Sequence, residues 1–251
     1  MAGHSHSSNI KHKKAAVDSK RGKLWTKLSK AIIVAAKLGG GDPNGNARLR
    51  VAITDAKAVS MPKDNIERAI KRGTGEIAGG DVEELVYEGY GPFGVAVMCE
   101  IYTDNRNRTA PEIRKIFENA GGKLGATNCV AWIFERKGLF VIPTARASEE
   151  QLMEIALEAG AGDVQPMGDN YEVTCPVEAF AAVGDALQAA GVEPETKEIT
   201  RIPSNTAEVS DLESARTVLK LIEWLDDHDD VQNVYANYNI PDEALAAIEA
   251  G

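Results

Sequence analysis

No stretch of the 251 residues approaches the roughly 18 consecutive apolar residues that cross a bilayer, so no membrane-spanning helix is expected. The start, Met1-Ala-Gly-His-Ser-His, has no apolar core of the kind a secretory signal needs, and a cytoplasmic protein is expected. Cysteine is scarce: Cys99, Cys129 and Cys175 are odd in number, far apart and free of any Cys-x-x-Cys pair. That spacing fits reduced thiols within a core rather than a disulfide framework or a zinc site. Catalytic signatures are missing too. There is no Gly-x-Ser-x-Gly elbow, no cysteine stands close in sequence to a histidine, and no Gly-Lys-Ser/Thr follows Gly39-Gly40-Gly41-Asp42-Pro43. The glycines read instead as the end of a helix. His4, His6 and His12, and the acidic run Asp226-Asp227-His228-Asp229-Asp230, lack the spacing of zinc or calcium ligands. The expectation is a protein that is not an enzyme, with no cofactor, no metal and no small-molecule substrate.

What is present is charge, unevenly spread. The formal net charge is −10, which alone argues against a polyanionic partner. Residues 1–75, however, hold 16 Lys and Arg against 5 Asp and Glu, a net +11, and the remainder carries −21. A molecule polarised in this way meets phosphates with one end and repels them with the other.

The basic part reads as helical. From Lys20 to Leu38, Leu24, Leu28, Ala31, Ile32 and Ala35 form one apolar stripe, and Lys20, Lys23, Lys27, Lys30 and Lys37 fall in a row beside it. The spacing predicts that one face packs and the other is a lysine rail. A second helix is expected over 47–59, and Pro62 opens a third, with Ile66, Ala69 and Ile70 inward and Lys63, Arg68, Lys71 and Arg72 outward, stopped by Gly73. Residues 75–80 read as a linker. Beyond them strands alternate with helices. Val95, Val97, Cys99 and Ile101 predict a half-buried strand, and Thr109-Ala-Pro-Glu112 predicts a capping box. Ser148-Glu-Glu-Gln151 and Ser210-Asp-Leu-Glu213 predict two more, with strands over 171–175, 195–199 and 231–236. The fold class expected is α+β: a helical amino-terminal module plus two ferredoxin-like antiparallel-sheet domains, one inserted in the other. The expected boundaries are 1–80, then 81–135 with 206–240, an insert over 136–205, and a tail over 241–251.

Several blocks carry a resemblance. Asn9-Ile-Lys-His-Lys-Lys-Ala-Ala16, Ala35-Ala-Lys-Leu-Gly-Gly-Gly-Asp-Pro43, Met61-Pro-Lys-Asp-Asn-Ile-Glu-Arg-Ala-Ile-Lys-Arg-Gly73, Tyr87-Glu-Gly-Tyr-Gly-Pro92, Asp104-Asn-Arg-Asn-Arg-Thr109 and Asp229-Asp-Val-Gln-Asn-Val-Tyr235 stand in order along the chain. In these blocks it resembles the YebC family, including its PmpR-type transcriptional regulators and the mitochondrial translational activator of cytochrome oxidase. The resemblance implies a three-domain α+β protein without catalytic activity. It also implies a ribosome-associated role in translation, relieving stalling at proline-rich stretches. Two departures stand out: His6-Ser7-Ser8 replaces the family's usual Lys-Trp after Gly-His-Ser, and Thr127-Asn128-Cys129 replaces a Gly- and Ser-rich loop.

The candidate nucleic-acid contacts follow from the charge. They are the arm Lys11, His12, Lys13 and Lys14; Lys20, Arg21, Lys23, Lys27 and Lys30 on the first helix; Lys63, Asn65, Arg68, Lys71 and Arg72 on the third; and the turn Asn105, Arg106, Asn107 and Arg108. Ammonium and guanidinium groups neutralise phosphates and release counterions, and Arg and Asn side chains can fork onto phosphates or base edges. A monomer binding ribosomal RNA or another nucleic acid is the expectation, with a DNA-binding transcriptional regulator as the alternative. Joint replacement of Lys13, Lys14, Arg21 and Lys23 by Ala is expected to weaken binding and flatten its salt dependence.

Overall fold

The computed structural model describes residues 21–249. The described chain divides into two compact units, one running up to Val130 and including Arg216–Ala236, the other made of Ala131–Ala215 and the chain from Asn237.

The first unit begins with three helices: α1 (Arg21–Gly39), α2 (Ala47–Ala58) and α3 (Lys63–Gly73). The first half of α1 is amphipathic, with Leu24 and Leu28 half-buried. Its second half is covered on all sides, since Ile32, Ile33, Val34, Ala35 and Ala36 are all buried. They join Leu49, Ala52 and Ala56 of α2, Ile66 and Ala69 of α3, and Tyr102 of the following sheet in one core. Asn46 locks the corner between α1 and α2. Its side-chain oxygen caps α2 by accepting from Leu49 N at 3.0 Å, and its amide donates to the α1 carbonyl of Ala35 at 2.8 Å and to Gly40 O at 2.9 Å. One buried side chain thereby satisfies orphan groups of two helix ends.

The α1–α3 crossing is close because Gly73 has no side chain. A Cβ there would lie 2.5 Å from Ile33 O and 2.7 Å from Ala36 Cβ, against backbone that cannot swing away. Gly73→Ala is therefore expected to cost about 1–3 kcal/mol through overpacking, read as a lower thermal midpoint. An unchanged midpoint would show that the crossing yields.

A sheet follows, made of β1 (Glu83–Tyr90), β2 (Ala96–Thr103), β3 (Lys123–Leu124) and β9 (Val231–Ala236), in the order β3-β1-β2-β9 with every pairing antiparallel. Helices α4 (Arg106–Asn119) and α7 (Leu212–Asp226) lie on one face: Phe117 packs against Gly89, and Leu221 against Gly91. The layout is ferredoxin-like, although the chain enters it through a β1–β2 hairpin and completes it only at β9. Buried Glu88 orders the turn before Val130 by accepting from Asn128 N at 2.8 Å and Val130 N at 2.9 Å.

Two sequence expectations are corrected in this unit. The strand around Val97 is buried on both faces, not half-buried, because Tyr102 belongs to the helical core while Val97, Cys99 and Ile101 are also buried. The helix expected to start at a Thr109 cap starts four residues earlier: Asn105 is its N-cap, accepting from Arg108 N at 3.2 Å, and Thr109 is a buried residue inside the helix. Asn caps more strongly than Thr, and Pro111 is accommodated inside the helix.

In the other unit the order β4 (Phe134–Pro143), α5 (Glu149–Glu158), β5 (Asp163–Met167), β6 (Asn170–Pro176), α6 (Phe180–Ala189), β7 (Thr196–Pro203) gives an antiparallel sheet of order β5-β6-β4-β7, the ferredoxin-like βαββαβ arrangement. Ser148 caps α5 as its sequence suggests, accepting from Gln151 N at 3.2 Å. The next expected cap shifts by one: Asp211, not Ser210, accepts from Ser214 N at the start of α7. The last expected strand before Pro203 runs from Thr196 rather than Glu195 and extends to Pro203. Strands β8 (Ala207–Glu208) and β10 (Tyr238–Asn239) pair in parallel, and α8 (Asp242–Glu249) ends the described chain.

Candidate nucleic-acid interface

The lysine row of α1 is present as the periodicity requires, but much of it is not free. The partners of Lys23, Lys27 and Lys30 lie some 200 residues away, at the carboxyl end of α7 and in the turn that follows. Lys23 Nζ is 2.7 Å from Asp227 Oδ2 and also reaches Asp227 O. Lys27 donates to the Asp226 carbonyl and lies 3.6 Å from its carboxylate. Lys30 donates to Asp229 O at 3.0 Å and pairs with the carboxylate of Asp230. Lys37, near the other end of α1, pairs with Asp81. The expectation of an open lysine rail is thus corrected: three ammonium groups cap the negative end of a helix and meet its terminal carboxylates.

Asp230 is the centre of this contact. It is 1% exposed and receives hydrogen bonds from Lys30, Thr109, Thr103 at 3.1 Å and Arg108 at 3.0 Å. Burial alone would raise its carboxyl, yet the bonds from Lys30, Thr109 and Arg108 reverse that and hold it well below the usual carboxylate range.

The turn at 104–108 changes meaning accordingly. Asn105 is consumed as a helix cap, and Arg108 spans Asp230 and Asp104. Arg106 is exposed and only 4.0 Å from Glu83, while Asn107 is exposed in the first turn of α4. Arg72, expected to point outward, turns in: its Nη2 donates to Gly80 O at 2.8 Å and approaches Asp104 at 3.5 Å, fastening the segment that leads to β1.

What remains outward is carried by α2 and α3. Lys63, Arg68 and Lys71 are exposed on α3, and Asn65 is half-buried with its oxygen accepting from Arg68 Nη2 at 2.9 Å. Lys63 is 87% exposed in its side chain, and its 3.4 Å approach to Glu67 is an exposed helical pair of small energy. Lys57 and Arg50 of α2 are exposed as well; neither stands out in the sequence, although both belong to the +11 segment. Arg50 also steadies the turn before α2 by donating to Pro43 O at 3.0 Å. Asp55, Asp64 and Glu67 are exposed on the same two helices, so the outward charge is positive but moderate. Lys11, His12, Lys13, Lys14 and Lys20 lie outside the described residues, as does the side chain of Arg21.

Glu112, His228 and Asp230 approach closely enough to suggest a metal. Their hydrogen bonds give a different reading. His228 Nδ1 accepts from Asp230 N at 3.1 Å, which leaves the proton on Nε2 to face Glu112 at 3.0 Å. Neither ring nitrogen keeps a lone pair for a cation, and Asp230 is already occupied by four donors. Cys99 and Cys175 are buried as expected of core thiols, whereas Cys129 is only partly buried, which corrects that expectation there; burial pushes all three thiols up. No helix among the described residues is long and apolar enough to cross a membrane.

A helical module on one ferredoxin-like sheet, a second such sheet in the other unit, and cations exposed on α2 and α3 define an α+β protein. The chain belongs to the TACO1/YebC family: the family model for the TACO1/YebC N-terminal domain matches residues 5–76, and that for its second and third domains matches residues 82–238. It is 58% identical to a probable transcriptional regulatory protein of Rhodopirellula baltica, over 98% of this chain and 100% of that one. It is 55% identical to another so named in Dictyoglomus turgidum, over 99% and 100%. Among solved structures it is similar to a conserved hypothetical protein from Aquifex aeolicus, with a TM-score of 0.77 and 49% identity, covering 90% of this chain and 93% of that one.

Proposed function

We propose that the protein is a non-enzymatic, cytoplasmic regulator of gene expression that binds nucleic acid through the outward face of α2 and α3. The observation that carries this reading is the set Arg50, Lys57, Lys63, Arg68 and Lys71, exposed on one helical module of a chain whose net charge is −10. Cations kept in water on an otherwise acidic molecule serve a polyanion better than they serve folding, since isolated surface charges add little stability. Within that reading the partner is ribosomal RNA and the role is in translation, at stretches rich in proline, which is what the family resemblance implies. The test is sedimentation of a cell lysate at moderate salt, with proline-stretch stalling induced. The protein should travel with ribosomal fractions and leave them as salt rises. Its complete absence from those fractions at low salt would remove the ribosomal role.

The names of the relatives favour a second reading, a DNA-binding transcriptional regulator. α3 is its only recognition helix by sequence, and there Asn65 and Arg68 are bonded to each other and would have to separate to read bases. Footprinting separates the two: one protected promoter sequence supports the regulator of transcription, whereas uniform, salt-sensitive binding to any duplex opposes it.

A further inference from the structure

We propose that the turn formed by Asp226–Asp230 is an intramolecular phosphate mimic. In the free protein it holds Lys23 of α1, and it gives that ammonium group up when a nucleic-acid backbone enters the cavity beside it. The proposal rests on the nucleic-acid reading above and adds a second binding surface and a restraint on its use.

Three observations carry it. The pairing is chemically what a phosphodiester offers a lysine row. Successive ammonium groups on one helix face meet successive oxygens, carboxylate and carbonyl, along a short anionic stretch. The pairing is graded. At Asp230 it is buried and Lys27 is only 14% exposed, but at Lys23 and Asp227 the side chains are 45% and 34% exposed, so this outermost pair is worth little in water and exchanges readily. There is also room for a competitor. A cavity of 710 Å³ opens at this place, lined by Lys23, Lys30, Arg108 and Lys115 and, besides the acidic turn, by the carboxylates of Asp104 and Glu112. A phosphate arriving there meets both Lys115 and Lys23 in the cavity wall. Displacing the carboxylate of Asp227 would leave Asp230 anchoring α1 and Lys27 on the Asp226 carbonyl, so Lys23 is released without the helix detaching. Nucleic acid would therefore bind in two stages: first to α2 and α3, then to α1 at the expense of the internal anion.

The experiment is binding of a labelled single-stranded oligouridylate to the full chain, comparing wild type with Asp226→Asn/Asp227→Asn, in which carboxamides keep the shape and Asp230 is untouched. The double variant is expected to bind about three- to tenfold more tightly at low salt. Its plot of log affinity against log salt should be steeper by about 0.7, because one more cation, Lys23, meets a phosphate on a single strand. Adding Lys23→Ala should abolish the gain. Should the double variant fail to fold, hydrogen exchange on the wild type gives the answer: RNA should speed exchange at the amides of Asp227, His228 and Val231. Equal affinity and slope in wild type and double variant, or RNA-induced protection of those amides, overturns the mimic while leaving nucleic-acid binding intact. Absence of binding by both proteins overturns the mimic and the nucleic-acid reading together.

Discussion

Asp230→Ala lowers the unfolding free energy by about 3–5 kcal/mol, a large loss for one side chain, because it leaves Lys30, Thr103 and Thr109 turned toward an empty buried site. The half-exposed end of Arg108 contributes little to that figure, since water takes over its charge. Lys30 is the costly orphan: its side chain is 14% exposed, so its ammonium group would be left largely without water or counter-charge. Asp230→Asn, which can still accept from the threonines, should lose less. Urea midpoints at neutral pH check both. A loss below about 1 kcal/mol for Asp230→Ala would mean that the hub is solvated in solution and does not fasten α1 to the sheet.

The same residue sets an acid limb. Its folded-state carboxyl is held below the value of about 3.9 that it has in an unfolded chain. A depressed group stabilises at every pH above the unfolded value and loses that contribution as pH falls below about 4. The wild-type midpoint should therefore drop between neutral pH and about pH 3 by more than that of Asp230→Ala, and equal drops would place the acid sensitivity elsewhere.

The second large effect concerns binding. Replacing Lys57, Lys63, Arg68 and Lys71 together by Ala should weaken binding to nucleic acid by about tenfold or more at low salt. It should also lower the slope against log salt by about 0.7 for each phosphate no longer neutralised on a single strand, or about 0.9 on a duplex. The four side chains are exposed and hold up no core, so the fold and the thermal midpoint should persist. Affinity measured by anisotropy across a salt series decides the matter. An unchanged slope would move the binding surface off α2 and α3. The set differs from one chosen on charge density alone: Lys23 has a carboxylate partner, and Lys13 and Lys14 lie outside the described residues.

That difference shows what a sequence can convey about this protein. Local rules reach local facts. The stop at Gly39, Pro62 before α3, the Ser148 cap and the strands around Val173 and Ile199 follow from turn chemistry and periodicity within a few residues, whereas β5, with Pro166 inside it and only Val164 and Met167 buried, has no strand pattern to read. Two of the differences are also local in kind. At the start of α4 two cap signals compete, and the Thr-x-x-Glu pattern is the more conspicuous although Asn105 makes the bond. At β2, alternation with apolar neighbours hides that both faces are covered, because the second cover comes from helices encoded some 60 residues earlier. The lysine row is a different case. Its position is written in the spacing of Lys23, Lys27 and Lys30, but its partners are Asp227, Asp226 and Asp230, about 200 residues away, and nothing in a charge count reveals which cations meet which anions. Arg72 departs from its expected outward direction for the same reason, since Gly80 and Asp104 draw it inward. The candidate surface is thus legible in sign and region, while the division between paired and outward cations is not.

The most direct measurement is hydrogen exchange over the whole chain with and without a ribosomal RNA fragment at low salt. Slowed exchange concentrated in residues 47–73, fading as salt is raised, is what a cationic face on α2 and α3 requires. Protection confined to the sheet of 134–203, with the helices unchanged, would contradict it.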